Sequence, residues 1–143
     1  MSEGRDLQRD APLLRALFKH LERGLLPFHM PGHKQGRGVD REFFEFLGPN
    51  LFKMDLTELK GLDDLHAPSG PIREAQDLAS QAFGADETFF LVNGTTAGIH
   101  AMIMATCGPG DEVILERDVH RSVVGATVLS GALPVFVDVY VED

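Results

Sequence analysis

Four residues, Asn93-Gly94-Thr95-Thr96, stand where a short apolar run stops and a helical pattern begins. The run is Phe89, Phe90, Leu91 and Val92, the kind of stretch a buried strand shows. After it, the small and apolar residues of "TAGIHAMIMATC" recur at helical spacing. An Asn-Gly pair between apolar segments is a hairpin signal, but here no second strand follows. A strand-to-helix turn is the better reading. The first turn of a helix leaves N–H groups unpaired, and the helix dipole adds partial positive charge there. Gly94 lets a ligand approach the backbone, and two threonine hydroxyls stand beside it. These residue types suit an anion, a phosphate best. The alternative is that the threonines only cap the helix.

His120 is the second candidate. It lies in "ILERDVHRSVVG", a few residues beyond the apolar run "EVILER". That places it at the carboxyl end of a strand, where ligands collect in open α/β sheets. A neutral imidazole there can stack on a flat heteroaromatic ring or handle a proton. The alternative is a histidine near a helix start with no ligand. His29 and His33 are four apart, but Pro31 and Gly32 between them prevent a shared helix face, so no metal site is expected. His100, within an apolar helix, reads as a core or interface residue. Neither G-x-x-x-x-G-K-[ST] nor a G-x-G-x-x-G after a strand occurs, which disfavours a P-loop nucleotidase and a dinucleotide fold.

The elements that must position these residues follow from the pattern. Residues 11–23, "APLLRALFKHLER", predict an amphipathic helix stopped by Gly24. "LPFHMPGHKQGRG" is rich in proline and glycine and predicts an irregular, exposed segment. "VDREFFEFL" predicts a short helix with Asp40 as N-cap, ended by "GPN". "MDLTELKGLDDLHAPSGP" predicts a long ordered connection. "PIREAQDLASQAFG" predicts a helix with Pro71 in its first turn and Gly84 as its stop. Then "ETFFLV", "EVILER" and "LPVFVDV" predict strands, alternating with helices over "TAGIHAMIMATC" and "HRSVVGATVLSG". Alternation of this kind predicts a parallel sheet with helical crossovers, and continuous apolar strands predict helices on both faces. Composition shifts near residue 67, separating an arm and linker (1–66) from the first part of an α/β domain (67–143).

The 143 residues carry a net charge of −9, which argues against nucleic acid or an anionic membrane as partner. Cys107 is the single cysteine, so no internal disulfide forms. The N-terminus has no apolar signal region, and no apolar run approaches a membrane span. A cytoplasmic protein is expected.

Four blocks, "FHMPGHKQGRG", "DLTELKGLDDLHAPSGPIREAQDLASQAFGAD", "TFFLVNGTTAGIHAMI" and "DEVILERDVHRSV", together resemble the ornithine/lysine/arginine decarboxylases, pyridoxal-phosphate enzymes of the aspartate-aminotransferase fold type (fold type I). The resemblance runs from about residue 25 nearly to the end and is nearest the short bacterial biosynthetic arginine decarboxylases. It implies the N-terminal part of the large domain of that fold, preceded by a helical and irregular arm. It implies pyridoxal 5'-phosphate as cofactor, its phosphate held at Gly94, Thr95 and Thr96, and His120 stacked on its ring. Thr96 stands where the family usually has serine, and Arg121 where it usually has lysine. The "PGHK" segment of such enzymes lies near the active site at a subunit interface, which makes His33 and Lys34 secondary candidates. The implied function is decarboxylation of arginine, lysine or ornithine in polyamine biosynthesis, by a homodimer or higher oligomer. The family places its Schiff-base lysine and the acidic partner of the pyridine nitrogen downstream of these blocks, whereas the lysines here are Lys19, Lys34, Lys53 and Lys60. The expectation is therefore an incomplete decarboxylase, inactive by itself. The alternatives are another fold-type-I enzyme, such as an aminotransferase or desulfurase, and a non-catalytic interaction module.

Overall fold

The computed structural model describes residues 8–138. The chain divides into two compact units, one ending at Phe90 and the other beginning at Leu91. The shift of composition near residue 67 thus marks a change of sequence pattern within the first unit.

The first unit is helical. Helix α1 (Pro12–Glu22) begins with Pro12 at its first position and carries Lys19 in its last turn, where a cation suits the dipole. Helix α2 (Arg41–Leu47) is capped by Asp40, whose side chain accepts from the N–H groups of Glu42 and Phe43 at 3.0 and 3.1 Å. A cap of this kind contributes about 1 kcal/mol. Gly48 ends α2 and leads directly into α3 (Pro49–Met54). The pattern predicts an end at "GPN", but the structure adds α3 there, because Pro49 starts a helix instead of only stopping one. Helix α4 (Pro71–Phe83) closes on Gly84 in the left-handed conformation, as expected, and packs against α1.

An aromatic cluster holds the irregular segment to α2 and α3. Phe44 stacks on Phe52 at 5.2 Å, and His33 meets the same ring edge-on at 5.6 Å. Gly36, at φ +90°, lies under Phe44, where a Cβ would come within 2.4 Å of the ring. The segment expected to be exposed is therefore partly clamped, with Gly36 buried.

Between Met54 and Pro71 the chain has no regular element, and one carboxylate organises its second half. Asp63 accepts from the backbone N–H groups of Asp64 (3.0 Å), Ser69 (2.9 Å), Gly70 (2.8 Å), Ile72 (3.0 Å) and Arg73 (3.4 Å). The last two belong to the first turn of α4, so Asp63 caps that helix from a distance in sequence. Burial alone would raise its pKa. The donors at Ser69, Gly70, Asp64 and Arg73 outweigh that and hold the carboxyl down, from an ordinary 3.8 to about 2.

The second unit contains a parallel pair, β1 (Glu112–Glu116) and β2 (Leu133–Val137), in register from Glu112 opposite Leu133 to Glu116 opposite Val137. Helix α5 (Gly94–Thr106) precedes β1, and α6 (Arg121–Ser130) crosses from β1 to β2. The two helices pack together. Ser122, Ala126 and Ser130, four residues apart on α6, are buried, as are Ile103 of α5 and Leu115 of β1. Ile114, on the opposite face of β1, is 73% exposed. Helices were expected on both faces of the strands; among the described residues this face of β1 stays open.

Residues 87–92 form no strand, contrary to expectation. Strand structure needs an interstrand ladder, and the ladder among the described residues joins β1 to β2 alone. Phe89 and Val92 are instead largely exposed, at 73% and 77%. Among the described residues, no helix is long and apolar enough to cross a membrane.

Replacing Asp63 with Ala is expected to strand the first-turn donors of α4 at a cost of about 1–3 kcal/mol, with Asn, which keeps one acceptor oxygen, losing less. Because the folded-state pKa is depressed, the stabilisation is present above pH 3.8 and is lost as pH falls through about 2. Amide exchange in the intact protein checks this: Ile72 and Arg73 should exchange faster in Asp63→Ala, and unchanged rates would refute the role.

Candidate functional site

The sequence candidates in the second unit lie at two helix starts. Helix α5 begins at Gly94, two residues before the expected start, so Thr95 and Thr96 fall within its first turn. Gly94 has φ +73°, a conformation that disfavours any side chain, and a Cβ there would meet nothing within 4 Å. The Asn93 side chain makes no capping bond. The α5 terminus thus offers backbone N–H groups, two exposed hydroxyls and open space, without an internal acceptor from its cap. Such a terminus suits a phosphate through both its donors and its dipole.

His120 is the N-cap of α6. Its Nδ1 accepts from the Ser122 N–H at 3.2 Å and lies 2.7 Å from the Ser122 hydroxyl, which donates. A nitrogen that accepts in this way carries no proton, so the neutral ring holds its proton on Nε2. The ring is exposed and its orientation is set by Ser122, a buried residue. Sequence reasoning missed Ser122; the available signal was a hydroxyl two residues after a residue at a helix start.

The two helix starts open at the same end of the unit. At the far ends of the helices, Gly131, the C-cap of α6, sits against Pro109, just beyond the end of α5; a Cβ on Gly131 would lie 3.3 Å from it. The Gly110 N–H donates to the Gly131 carbonyl at 3.2 Å. Midway, His100 of α5 lies over Gly125 of α6, its Nε2 3.4 Å from where a Cβ would stand. Helices that meet at their ends and again midway in this order run in the same direction. The starts at Gly94 and His120 therefore share one end, which is the carboxyl end of β1 because His120 follows Glu116 across a short turn.

His33 and Lys34 belong to the first unit. His33 Nδ1 accepts from the Gly36 N–H at 3.1 Å, which leaves Nε2 to donate to Asp55 at 3.0 Å. This contact is a hydrogen bond to a carboxylate from a neutral ring rather than an ion pair. The Lys34 ammonium donates to the His29 carbonyl at 2.7 Å. Both side chains are thus committed to holding their own loop.

Residues 11–142 match the family model described as Orn/Lys/Arg decarboxylase, major domain. The arginine decarboxylase of Bacillus subtilis is 53% identical over 130 residues, covering 91% of this chain and 26% of its own length. The lysine decarboxylase LdcA of Pseudomonas aeruginosa is 34% identical over 131 residues, covering 87% of this chain and 17% of its own. The solved structure of the constitutive lysine decarboxylase of Escherichia coli matches with a TM-score of 0.79 at 26% identity, over 89% of this chain and 19% of that one. The chain spans about a quarter of the length of the arginine decarboxylase it matches.

The capping role of His120 separates from any role of its ring. His120→Ala is expected to destabilise the start of α6 by about 0.5–2 kcal/mol, whereas His120→Asn restores a good cap without an imidazole. Thermal unfolding of the intact protein checks the cap: equal losses in both variants would show that His120 does not cap α6.

Proposed function

The chain belongs to the Orn/Lys/Arg decarboxylase family, and we propose that it supplies the cofactor-phosphate site of a pyridoxal-phosphate-dependent decarboxylase of fold type I. The observation that carries this reading is the uncapped start of α5 at Gly94, open at the same end as His120. Gly94, Thr95 and Thr96 would hold the phosphate through backbone N–H groups and hydroxyls. His120 would lie against the pyridine ring, a neutral imidazole kept in one tautomer by Ser122. The residues fit the group because α5 presents donors without its own acceptor, and because no Cβ stands at position 94.

When bound, pyridoxal phosphate supplies an electron sink for the carbanion that loss of carbon dioxide leaves. The contribution of this chain is binding and orientation. Helix α5 fixes one end of the cofactor by charge, and α6 sets the plane of the His120 ring. The substrate class is a basic amino acid, with arginine first, because the identity to an arginine decarboxylase is 53% and that to a lysine decarboxylase is 34%. The product would feed polyamine synthesis in the cytoplasm, and the working form would hold at least two copies. Residues 1–143 alone would not turn over, because no lysine follows the turn at Gly94 within them.

Two measurements test the reading. In the intact protein, Thr95→Val and Thr96→Val are each expected to weaken cofactor binding by about 1.5–3 kcal/mol, the loss of one charged hydrogen bond. Unchanged cofactor affinity in both variants would sink the phosphate assignment. Residues 1–143, supplied with pyridoxal phosphate and arginine, lysine or ornithine, should release no carbon dioxide above the free-cofactor background. Steady turnover, with borohydride fixing the cofactor to Lys19, Lys34, Lys53 or Lys60, would overturn the statement that this stretch is insufficient.

A further inference from the structure

A cleft of about 420 Å³ in the first unit gathers positive charge in a chain whose net charge is −9. Arg15 and Lys19 of α1 and Arg23, its C-cap, recur every fourth residue and line the cleft. Lys60, from the irregular connection, lines it too. Glu74 of α4 is the acidic residue of the lining. Arg15 is paired with Asp10 at 2.5 Å, and among the described residues the Arg23 side chain donates only to the Lys60 carbonyl, at 3.5 Å. Among the described residues, Lys19, Lys60 and Glu74 form no ion pair. Set against Asp10 and Glu74, the four cations leave an excess of two positive charges.

A second, independent feature lies in the same wall. His20 is only 8% exposed and lines the cleft, yet its buried Nδ1 has no hydrogen-bond partner among the described residues. A buried polar atom without a partner is uncommon and calls for an explanation. Burial first, and then the charges of Arg23 and His29, lower the pKa of the ring and favour its neutral form. His20 thus brings an unpartnered, buried ring nitrogen to the cleft beside the cations of α1 and Arg23.

We propose that this cleft binds a small dianion of the phosphate class, as a second anion site formed by residues other than those at Gly94. A phosphate monoester carries a charge of about −1.5 to −2 near neutral pH, which matches the excess in the cleft. Guanidinium groups present planar forks that suit phosphate oxygens, and lysines add compact charge. The volume falls within the range of small-ligand pockets, about 300–1,000 Å³. The proposal rests on the first unit alone and stands whether or not the decarboxylase reading holds.

The test uses the intact protein loaded with one equivalent of pyridoxal phosphate and freed of unbound cofactor, so that the turn at Gly94 is occupied and no free phosphate ester competes for the cleft. Inorganic diphosphate, adenosine diphosphate and citrate are titrated calorimetrically at constant ionic strength. One saturable event per chain is expected with diphosphate or adenosine diphosphate, and weaker binding with citrate. Tighter binding of adenosine diphosphate identifies an organic carrier of the phosphate, and equal or weaker binding an inorganic ligand; either ranking supports the site. The double variant Lys19→Gln/Lys60→Gln should lose at least tenfold in affinity with an unchanged Tm. Glu74→Gln should bind several-fold more tightly, a gain that a folding defect cannot imitate. Absence of saturable binding, or equal affinity in the parent and both variants, overturns the proposal. So does a parent that binds none of the probes while the double variant dissociates, which would assign the cations to contact with a second copy.

Discussion

Every α-helix starts with N–H groups that the helix itself cannot satisfy, and the ways this chain meets that constraint organise most of what it does. Helix α2 uses Asp40, α6 uses His120, and α4 borrows Asp63 from across a loop. Helices α1, α3 and α4 each place a proline in the first turn, which removes one donor outright. Helix α5 has neither a capping side chain nor a proline. Its start is the point where the internal solutions stop, and it is also where Gly94 keeps the approach clear.

The same constraint links the second unit to the loop chemistry of the first. Asp63 satisfies several donors at once because its own backbone, at φ +77°, turns the carboxylate inward toward residues 64–73. That turn fixes where α4 begins, and α1 packs on α4. The basic residues of α1 thereby come to line one cleft with Lys60 and Glu74. In the second unit, Ser122 does for His120 what Asp63 does for α4: a short polar contact settles a direction. In both places the energies are those of a few hydrogen bonds, about 1 kcal/mol each, while the structural result is the placement of a whole helix.

Much of this was legible in the sequence where the signal is local. Pro71 and Gly84 bracket α4 as their types require, and Asp40 caps α2. The apolar runs at 112–116 and 133–137 pair in parallel across a helical crossover, as alternation of strand and helix implies. Signals that depend on a partner elsewhere were not legible. "ETFFLV" has every local mark of a strand, yet a ladder needs a neighbour, and residues 87–92 have none among the described residues. Asp63 sits in an aspartate pair whose acceptor role becomes visible only when the loop closes. At the candidate site, the glycine and threonines were legible as residue types. The shared direction of α5 and α6 was legible too, because each was expected to follow a strand of one parallel sheet; Ser122 as the partner of His120 was not.

That shared direction sets a tolerance. Helix α6 is held at its far end, where Gly131 meets Pro109 and Gly110, and His120 caps the opposite end, beside buried Ser122. Ten residues make a lever of about 15 Å. A tilt of roughly 4° about the far end would carry the imidazole about 1 Å, a displacement on the scale that can cost a reaction a hundredfold. The placement of the imidazole is therefore angular. It is set by the packing of Ser122 at the helix start together with a proline and two glycines one helix length away.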